Sequence, residues 1–398
     1  VTRKSLLALD VDSTVPSAEL VVAALARALD GGPALLPLPA GPEDERARLL
    51  AALRPDRPLD DDSVAVIVPT SGSTGVPKGV LLTAAALRAS AAATHDRLGG
   101  PGRWLLALPA RHVAGIQVIN RSLSAGAAPV VLDSTAGFRP GGFAAAAHAV
   151  LADGGRCYTS LVPTQLMRLV AEGGAGLAAL RRFDAVLCGG AATSPALLAR
   201  ARAEGVAVQT TYGMSETSGG CVYDGLPLAG VGVRPAEGAG PAAVELSGPM
   251  LATGYRLDPA GTAAAFVDGW FRTGDLGEVD EHGVLRVLGR VDDVINTGGV
   301  KIAPTPVEEV LTAQPGVAEA CVVGLPDPEW GALVAAAVVP VDPARPPDAE
   351  ALRAAVRERL GAASAPKACR MVSTLPVRGP GKVDRRAVRA LLLADRDG

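Results

Sequence analysis

Apolar and polar positions alternate along this chain in blocks that switch period. Residues 64–68 (Val-Ala-Val-Ile-Val) are a continuous apolar run, followed over 69–79 by Ser, Thr, Gly and Pro. The pattern predicts a buried strand entering a loop, with a helix beginning at about Thr83. The same alternation recurs downstream: a strand over 104–109 and a helix through Arg121, a strand over 129–132, and a strand over 184–187 before a Gly-Gly loop. Strands alternating with helices predict an α/β fold with parallel-rich sheets. Beyond Val231 the texture changes to short strands with turn signals at Asp268-Gly269, Glu281-His282-Gly283 and Thr297-Gly298-Gly299. Residues 321–323 and 333–339, with an amphipathic helix over 348–360, predict a smaller α+β unit. The boundary is placed near Arg290, giving a large domain over 1–290 and a small one over 291–398. The alanine tract 144–147 reads as ordinary helix, and no internal repeat is visible.

Length and composition support this division. At 398 residues the chain exceeds one compact core of ordinary size. Aromatics are only 3% of it, so the 48% hydrophobic fraction must pack through Ala, Leu and Val. The 38 Lys and Arg balance 41 Asp and Glu, which removes the electrostatic footprint of a nucleic-acid binder and leaves a small charged substrate. The five cysteines (Cys157, Cys188, Cys221, Cys321, Cys369) have no metal-ligand spacing and read as reduced, buried thiols. The apolar patch 6–9 is cut short by Asp10 and Asp12, so no signal-peptide core is expected there, and no apolar run approaches the roughly 20 residues of a membrane span. The expectation is a cytoplasmic protein without membrane insertion; a homodimer is left open.

The strongest local chemistry lies in Thr70-Ser71-Gly72-Ser73-Thr74-Gly75-Val76-Pro77-Lys78-Gly79-Val80. Glycines permit close backbone approach, hydroxyls and amides can hold phosphate oxygens, and Lys78 adds a cation. This is an anion cradle, and not a Walker A loop, because Gly79 stands where that motif has a Mg²⁺-binding hydroxyl. A second pattern, Leu9-Asp10-Val11-Asp12-Ser13-Thr14, matches the DxDxT nucleophile loop of aspartyl-phosphate phosphatases. Its bland alternative is a strand end followed by a helix cap, which is preferred because the cradle and later motifs leave little chain for a second catalytic domain.

With the cradle, four further segments recur in order: Tyr212-Gly213-Met214-Ser215-Glu216-Thr217, Gly269-Trp270-Phe271-Arg272-Thr273-Gly274-Asp275, Gly289-Arg290-Val291-Asp292-Asp293 and Gly379-Pro380-Gly381-Lys382-Val383-Asp384. Over about 63–398 the chain resembles the adenylate-forming family of acyl- and aryl-CoA ligases, adenylation domains and luciferases. The resemblance implies an enzyme that uses ATP, Mg²⁺ and coenzyme A on a small carboxylic acid. It assigns Thr70 to Gly75 and Lys78 to the phosphates, Ser215 and Glu216 to catalysis with Glu216 also on the metal, and the hinge to Asp292. It assigns Lys382, on a mobile C-terminal domain, to the charge that develops between carboxylate and α-phosphate, and Gly298 and Gly299 to coenzyme A. The residues suit these tasks individually. Tyr212, beside Gly213, offers a flat face for adenine, and Gly189, Gly190 and Ala191 let a purine approach the backbone. Glu216 is a hard oxygen ligand. Asp275 can accept from both ribose hydroxyls, with Arg290 beside it.

Two segments narrow the acid. Residues 108–115 (Leu-Pro-Ala-Arg-His-Val-Ala-Gly), with Asn120-Arg121-Ser122-Leu123, and residues 160–166 (Ser-Leu-Val-Pro-Thr-Gln-Leu) resemble the compact 2-succinylbenzoate-CoA ligases of menaquinone synthesis. The resemblance implies His112, Arg121, Ser160 and Thr164 as substrate residues, with Arg121 on the carboxylate that does not react. On an ideal helix Gln117 shares a face with Arg121 and His112 lies opposite, so His112 must precede the helix if both serve the acid. Two alternatives stand beside this reading: transfer of the acyl group to a carrier protein, and a non-catalytic acyl-adenylate binder.

Overall fold

The computed structural model describes residues 3–71, 77–236, 242–378 and 382–394, with the side chains of Ser71, Arg378 and Lys382 outside that description. The chain divides into two compact units, one of residues 1–192, 200–234 and 245–272, the other of 193–199, 235–244 and 273–398.

Two sheets lie wholly within the first unit. One has the spatial order Leu6–Val11, Ala34–Pro39, Val64–Ser71, Pro77–Thr83, Gly254–Tyr255, its first three strands parallel and the rest antiparallel. The other runs Leu226–Pro227, Gly219–Tyr223, Val208–Met214, Ala185–Cys188, Cys157–Leu161, Arg103–Leu106, Val130–Val131, with the five strands from Val208–Met214 onward parallel. Central strands of a sheet covered on both faces read as unbroken apolar runs. Cys157–Leu161 and Ala185–Cys188 are accordingly buried at every position. The scarcity of aromatics is met by small side chains: helix Val15–Leu29 buries Ala18, Val21, Ala24, Leu25 and Ala28, a helical spacing.

The segment after Val64–Ser71 departs from expectation. Within the expected loop 69–79, residues 69–71 and 77–79 are strand; Pro77–Thr83 returns antiparallel to Val64–Ser71 with Thr70 opposite Lys78. Val80 and Leu82 are fully buried, so this apolar run is used in the sheet before the helix Ala84–Arg97 starts. Thr83 caps that helix by accepting from the Ala86 amide at 3.0 Å. The expected helix start holds, and the described ends of the cradle lie on two paired antiparallel strands.

The DxDxT pattern is a strand end and cap. Asp12 Oδ1 accepts from the Thr14 amide at 2.8 Å and its hydroxyl at 2.6 Å, an Asx turn. These hydrogen bonds hold the Asp12 carboxyl below its ordinary range. Thr14 Oγ1 in turn accepts from the Ser17 amide at 3.2 Å, and Asp10 pairs with Arg46 at 2.7 Å. Both carboxylates are thereby committed to local structure.

The second unit contains an α+β assembly. Its sheet has the order Val300–Ile302, Ile295–Thr297, Gly331–Pro340, Val317–Asp327, with Ala368–Met371 parallel to Gly331–Pro340. Period-two alternation gives this sheet two apolar faces. Val322, Val334, Ala336 and Val338 pack with Val307, Leu311, Leu352 and Val356, while Cys321, Val323, Ala335 and Ala337 pack with Val388 and Leu392. The expected helix over 348–360 is Ala349–Leu360, capped by Asp348.

None of the five cysteines is in a disulfide; four are buried and Cys369 is half-buried. Burial pushes the thiols of Cys221 and Cys321 up to about 12, Glu308 adding to the effect at Cys321, and raises those of Cys157 and Cys369. Among the described residues no helix is long and apolar enough to cross a membrane.

Candidate active site

In open parallel sheets, ligands bind beyond the carboxyl ends of the strands. Four neighbouring parallel strands of the first unit end at residues the sequence singled out. After Arg103–Leu106 the chain reaches His112, and Cys157–Leu161 carries Ser160 and leads to Thr164. Ala185–Cys188 runs into Gly189, Gly190 and Ala191, and Val208–Met214, which contains Tyr212 and Gly213, runs into Ser215 and Glu216. Topology thus gathers at one sheet edge residues spread over a hundred positions.

Local chemistry shapes this edge. A Cβ on Gly189 would lie 2.2 Å from Thr211 Oγ1, so only glycine lets this loop pass the neighbouring strand. Gly213 is needed for strand pairing, since a Cβ there would lie 2.1 Å from the Gly219 carbonyl oxygen. His112 is the N-cap residue of helix Val113–Ser124 and therefore precedes that helix. Gln165 ties the next loop by accepting from the Val162 amide at 3.0 Å and donating to the Ala107 carbonyl at 2.9 Å. Gln117 is spent structurally, donating to the Ser218 carbonyl and accepting from Asn120 at 2.8 Å.

Arg121 is not a surface arginine. It is 3% exposed, its guanidinium lies 5.3 Å from the Trp104 ring, and Nη2 donates to the Tyr223 hydroxyl at 3.3 Å. Nε has no hydrogen-bond partner, and burial pulls the guanidinium pKa down. Among the described residues no carboxylate compensates this charge. His112 and Arg121 are nine residues apart on the helix, roughly 13 Å along its axis.

The cradle's described ends are in register, Thr70 opposite Lys78 and Ser71 opposite Pro77. Gly72, Ser73, Thr74 and Gly75, and the Ser71 side chain, lie outside the described residues. Lys78 Nζ stands 4.5 Å from the Tyr255 ring centroid and 4.0 Å from Asp258 Oδ2. Tyr255 donates its hydroxyl to Glu216 Oε1 at 3.0 Å, and the Ala252 amide donates to the Glu216 carbonyl at 2.8 Å. Burial and then the Glu216 charge push the Tyr255 hydroxyl well above its ordinary pKa, so it stays a donor. One hard carboxylate beside a phosphate-loop lysine is a donor set that fits Mg²⁺ carried on nucleotide phosphates. Sequence reasoning missed Tyr255 and Asp258; the Gly254-Tyr255-Arg256 segment gives no periodic signal, and its importance depends on pairing with a strand more than 170 positions away.

The remaining candidates belong to the second unit. Asp275 and Arg290 face each other across a strand pair, with Arg290 Nη1 3.2 Å from Asp275 Oδ1. A Cβ on Gly274 would lie 2.5 Å from Arg290 Nη2, so this glycine makes room for the guanidinium. Asp292 is exposed in the short turn Val291–Asp293. Gly298 and Gly299 both have positive φ and join Ile295–Thr297 to Val300–Ile302. Lys382 opens a two-residue strand paired with Val377–Arg378, while its side chain and Gly379, Pro380 and Gly381 lie outside the described residues. The following helix, Arg385–Ala394, is anchored by a bidentate pair between Arg385 and Glu308 and by Asp293 at 3.3 Å.

Residues 6–246 match the AMP-binding enzyme family, and residues 306–382 its C-terminal domain. The chain is 48% identical over 372 residues to the "probable 2-succinylbenzoate-CoA ligase" of Mycobacterium tuberculosis, covering 93% of this chain and 94% of the relative. Its fold is similar to the amide bond synthetase McbA of Marinactinospora thermotolerans, with a TM-score of 0.83 and 28% identity over 98% of this chain and 90% of that one. It is also similar to the o-succinylbenzoate CoA synthetase of Bacillus subtilis in complex with its acyl-adenylate intermediate, with a TM-score of 0.73 and 27% identity over 96% of this chain and 82% of that one. A glycine-shaped sheet edge, a lysine-bearing hairpin joined through Tyr255 to a carboxylate, and these likenesses agree: the chain belongs to the AMP-binding enzyme family of adenylate-forming ligases.

Proposed function

We propose that this protein is an ATP-dependent acid-CoA ligase whose acid is 2-succinylbenzoate. In the first step a carboxylate oxygen of the acid attacks the α-phosphorus of ATP. The C–O–P bond of the acyl adenylate forms, the bond to the β-phosphate breaks, and pyrophosphate leaves. In the second step the sulfur of coenzyme A attacks the acyl carbon, the thioester forms, AMP leaves, and the thiol proton passes to solvent.

The observation that carries the choice of acid is Arg121. A guanidinium with 3% exposure and an unpartnered Nε is costly to bury without a counter-charge. A dicarboxylate whose first carboxylate reacts near the strand ends has a second one to supply. The roughly 13 Å between His112 and Arg121 along the helix suits an extended dicarboxylate with a hydrogen bond at each end. The relative of 48% identity, named for the same acid, supports the reading.

In this reading Thr70 to Gly75 and Lys78 take the phosphates, Tyr212 and the Gly189-Gly190-Ala191 loop take adenine, and Asp275 with Arg290 takes ribose. Glu216 would hold Mg²⁺, which neutralises phosphate charge. Residues 1–290 act as the adenylation domain, and residues 291–398 as a mobile domain turning near Asp292. That domain brings Lys382 to the first step and Gly298 and Gly299 to the pantetheine arm in the second.

Coenzyme A-dependent AMP release across a panel of acids tests this. 2-Succinylbenzoate should exceed benzoate and simple fatty acids by at least tenfold in kcat/KM. A monocarboxylate equalling it would overturn the choice of acid, and AMP release indifferent to coenzyme A would overturn the thiol acceptor.

A further inference from the structure

We propose that Tyr255 is the positioning residue of the nucleotide site: its hydroxyl aims Glu216 and its ring face parks Lys78, keeping the two opposite charges apart until nucleotide arrives. The inference rests on the reading of Glu216 as the Mg²⁺ ligand and Lys78 as a phosphate ligand.

Tyr255 lies opposite Val80 on the edge of the hairpin that carries the cradle, and Val80 shares a strand face with Lys78 two residues earlier. That register puts the ring 4.5 Å from the ammonium, a cation–π distance. The ring itself is held rigidly. The Tyr255 amide donates to Thr262 Oγ1 at 2.9 Å, a Cβ on Gly254 would lie 2.4 Å from Thr262 Cγ2, and Phe266 meets the ring edge-on at 5.8 Å. A merely structural buried tyrosine commonly donates to a backbone carbonyl, as Tyr158 does to Leu98 and Gly100. Tyr255 instead donates to the metal-site carboxylate at 3.0 Å.

The arrangement has a physical purpose. If Lys78 and Glu216 paired directly, each nucleotide that bound would first have to break a partly desolvated ion pair. With Tyr255 between them, Lys78 rests on a ring face and on Asp258 at 4.0 Å, contacts weak enough to yield to phosphates. Glu216 meanwhile keeps a fixed orientation, so little ordering remains to be done when the nucleotide binds.

The experiment is calorimetric titration of the full-length protein with ATP, in EDTA and across a Mg²⁺ series, with melting temperatures recorded for each variant. Tyr255→Phe keeps the ring and loses the hydroxyl. It should raise the Mg²⁺ concentration that half-maximally tightens ATP binding by about tenfold, in line with loss of a hydrogen bond to a charged group, and leave ATP binding in EDTA within twofold of wild type. Glu216→Gln should remove most of the Mg²⁺ effect, and adding Tyr255→Phe to it should change nothing further, because the hydroxyl acts through Glu216. Tyr255→Leu removes the ring as well, and should weaken ATP binding in EDTA. If Glu216→Gln alters the Mg²⁺ dependence and Tyr255→Phe does not, or if the two losses add, the positioning role is wrong while the site reading survives. If Glu216→Gln leaves the Mg²⁺ dependence intact, the site reading itself fails. Unchanged binding in Tyr255→Leu would overturn the parking of Lys78.

Discussion

A buried arginine without a carboxylate is an unfinished electrostatic statement, and Arg121 makes one in the first unit. Its neighbours, the Trp104 ring and the Tyr223 hydroxyl, are neutral, and they offset only part of the desolvation of a guanidinium. The ligand-free protein therefore carries the cost, and in the proposed reading the acid recovers it. Arg121→Met, of similar reach and without charge, should raise the KM for 2-succinylbenzoate at least tenfold, since truncating a buried charged pair typically costs about 2 to 5 kcal/mol. The same substitution should leave the melting temperature of the ligand-free protein unchanged or raise it. Acid kinetics and a thermal melt on one preparation check both halves. A lower melting temperature with unchanged KM would make Arg121 a structural residue.

At the scale of elements, the site depends on how closely strands pass one another. Gly189→Ala places a methyl 2.2 Å from Thr211 Oγ1. Overpacking of this kind costs about 1 to 3 kcal/mol, so the variant should melt several degrees lower and need more ATP. Thr211→Ala in the same chain should restore part of both losses, as paired melts and ATP titrations would reveal. The elements themselves were largely legible. The run 64–68 gave its strand, the helix starts within a residue of Thr83, and residues 321–323 and 333–339 lie in strands of an α+β unit. The strand Pro77–Thr83 was hidden because Val80, Leu81 and Leu82 sit between a Gly/Pro segment and a helix, and their sheet partner Gly254–Tyr255 is distant in sequence. Helix Val113–Ser124 concealed the surroundings of Arg121 for another reason. It buries Gln117, Asn120, Arg121 and Ser122 along with its apolar residues, so no polar stripe distinguishes an inward arginine from a solvated one. The motif residues were legible one by one; the contact of Tyr255 with Glu216 was not, because it exists only once the strand ends and the hairpin are packed.

At the scale of the whole molecule, the proposed reading divides the labour between two domains. Lys382 opens the second strand of a pair whose next helix is clamped to Glu308 and Asp293 by Arg385, so the segment bearing the lysine is tied to the turn that contains Asp292. Lys382→Ala should nearly abolish ATP–pyrophosphate exchange, a loss of about 3 to 4 kcal/mol by analogy with removal of an oxyanion donor. Attack of coenzyme A on supplied acyl adenylate should survive. Parallel loss of both half-reactions in a folded variant would rule out domain alternation. The five free cysteines acquire a meaning from the same chemistry. A mixed anhydride acylates whatever thiolate it meets, and a protein thiolate would also exchange with disulfides of the coenzyme. With burial pushing the thiols of Cys221 and Cys321 up to about 12 and four of the five thiols buried, the protein would offer an activated acyl group few competitors of its own. In the proposed reaction, the packing that hides these sulfurs would leave the activated acyl group to the thiol that arrives from solution.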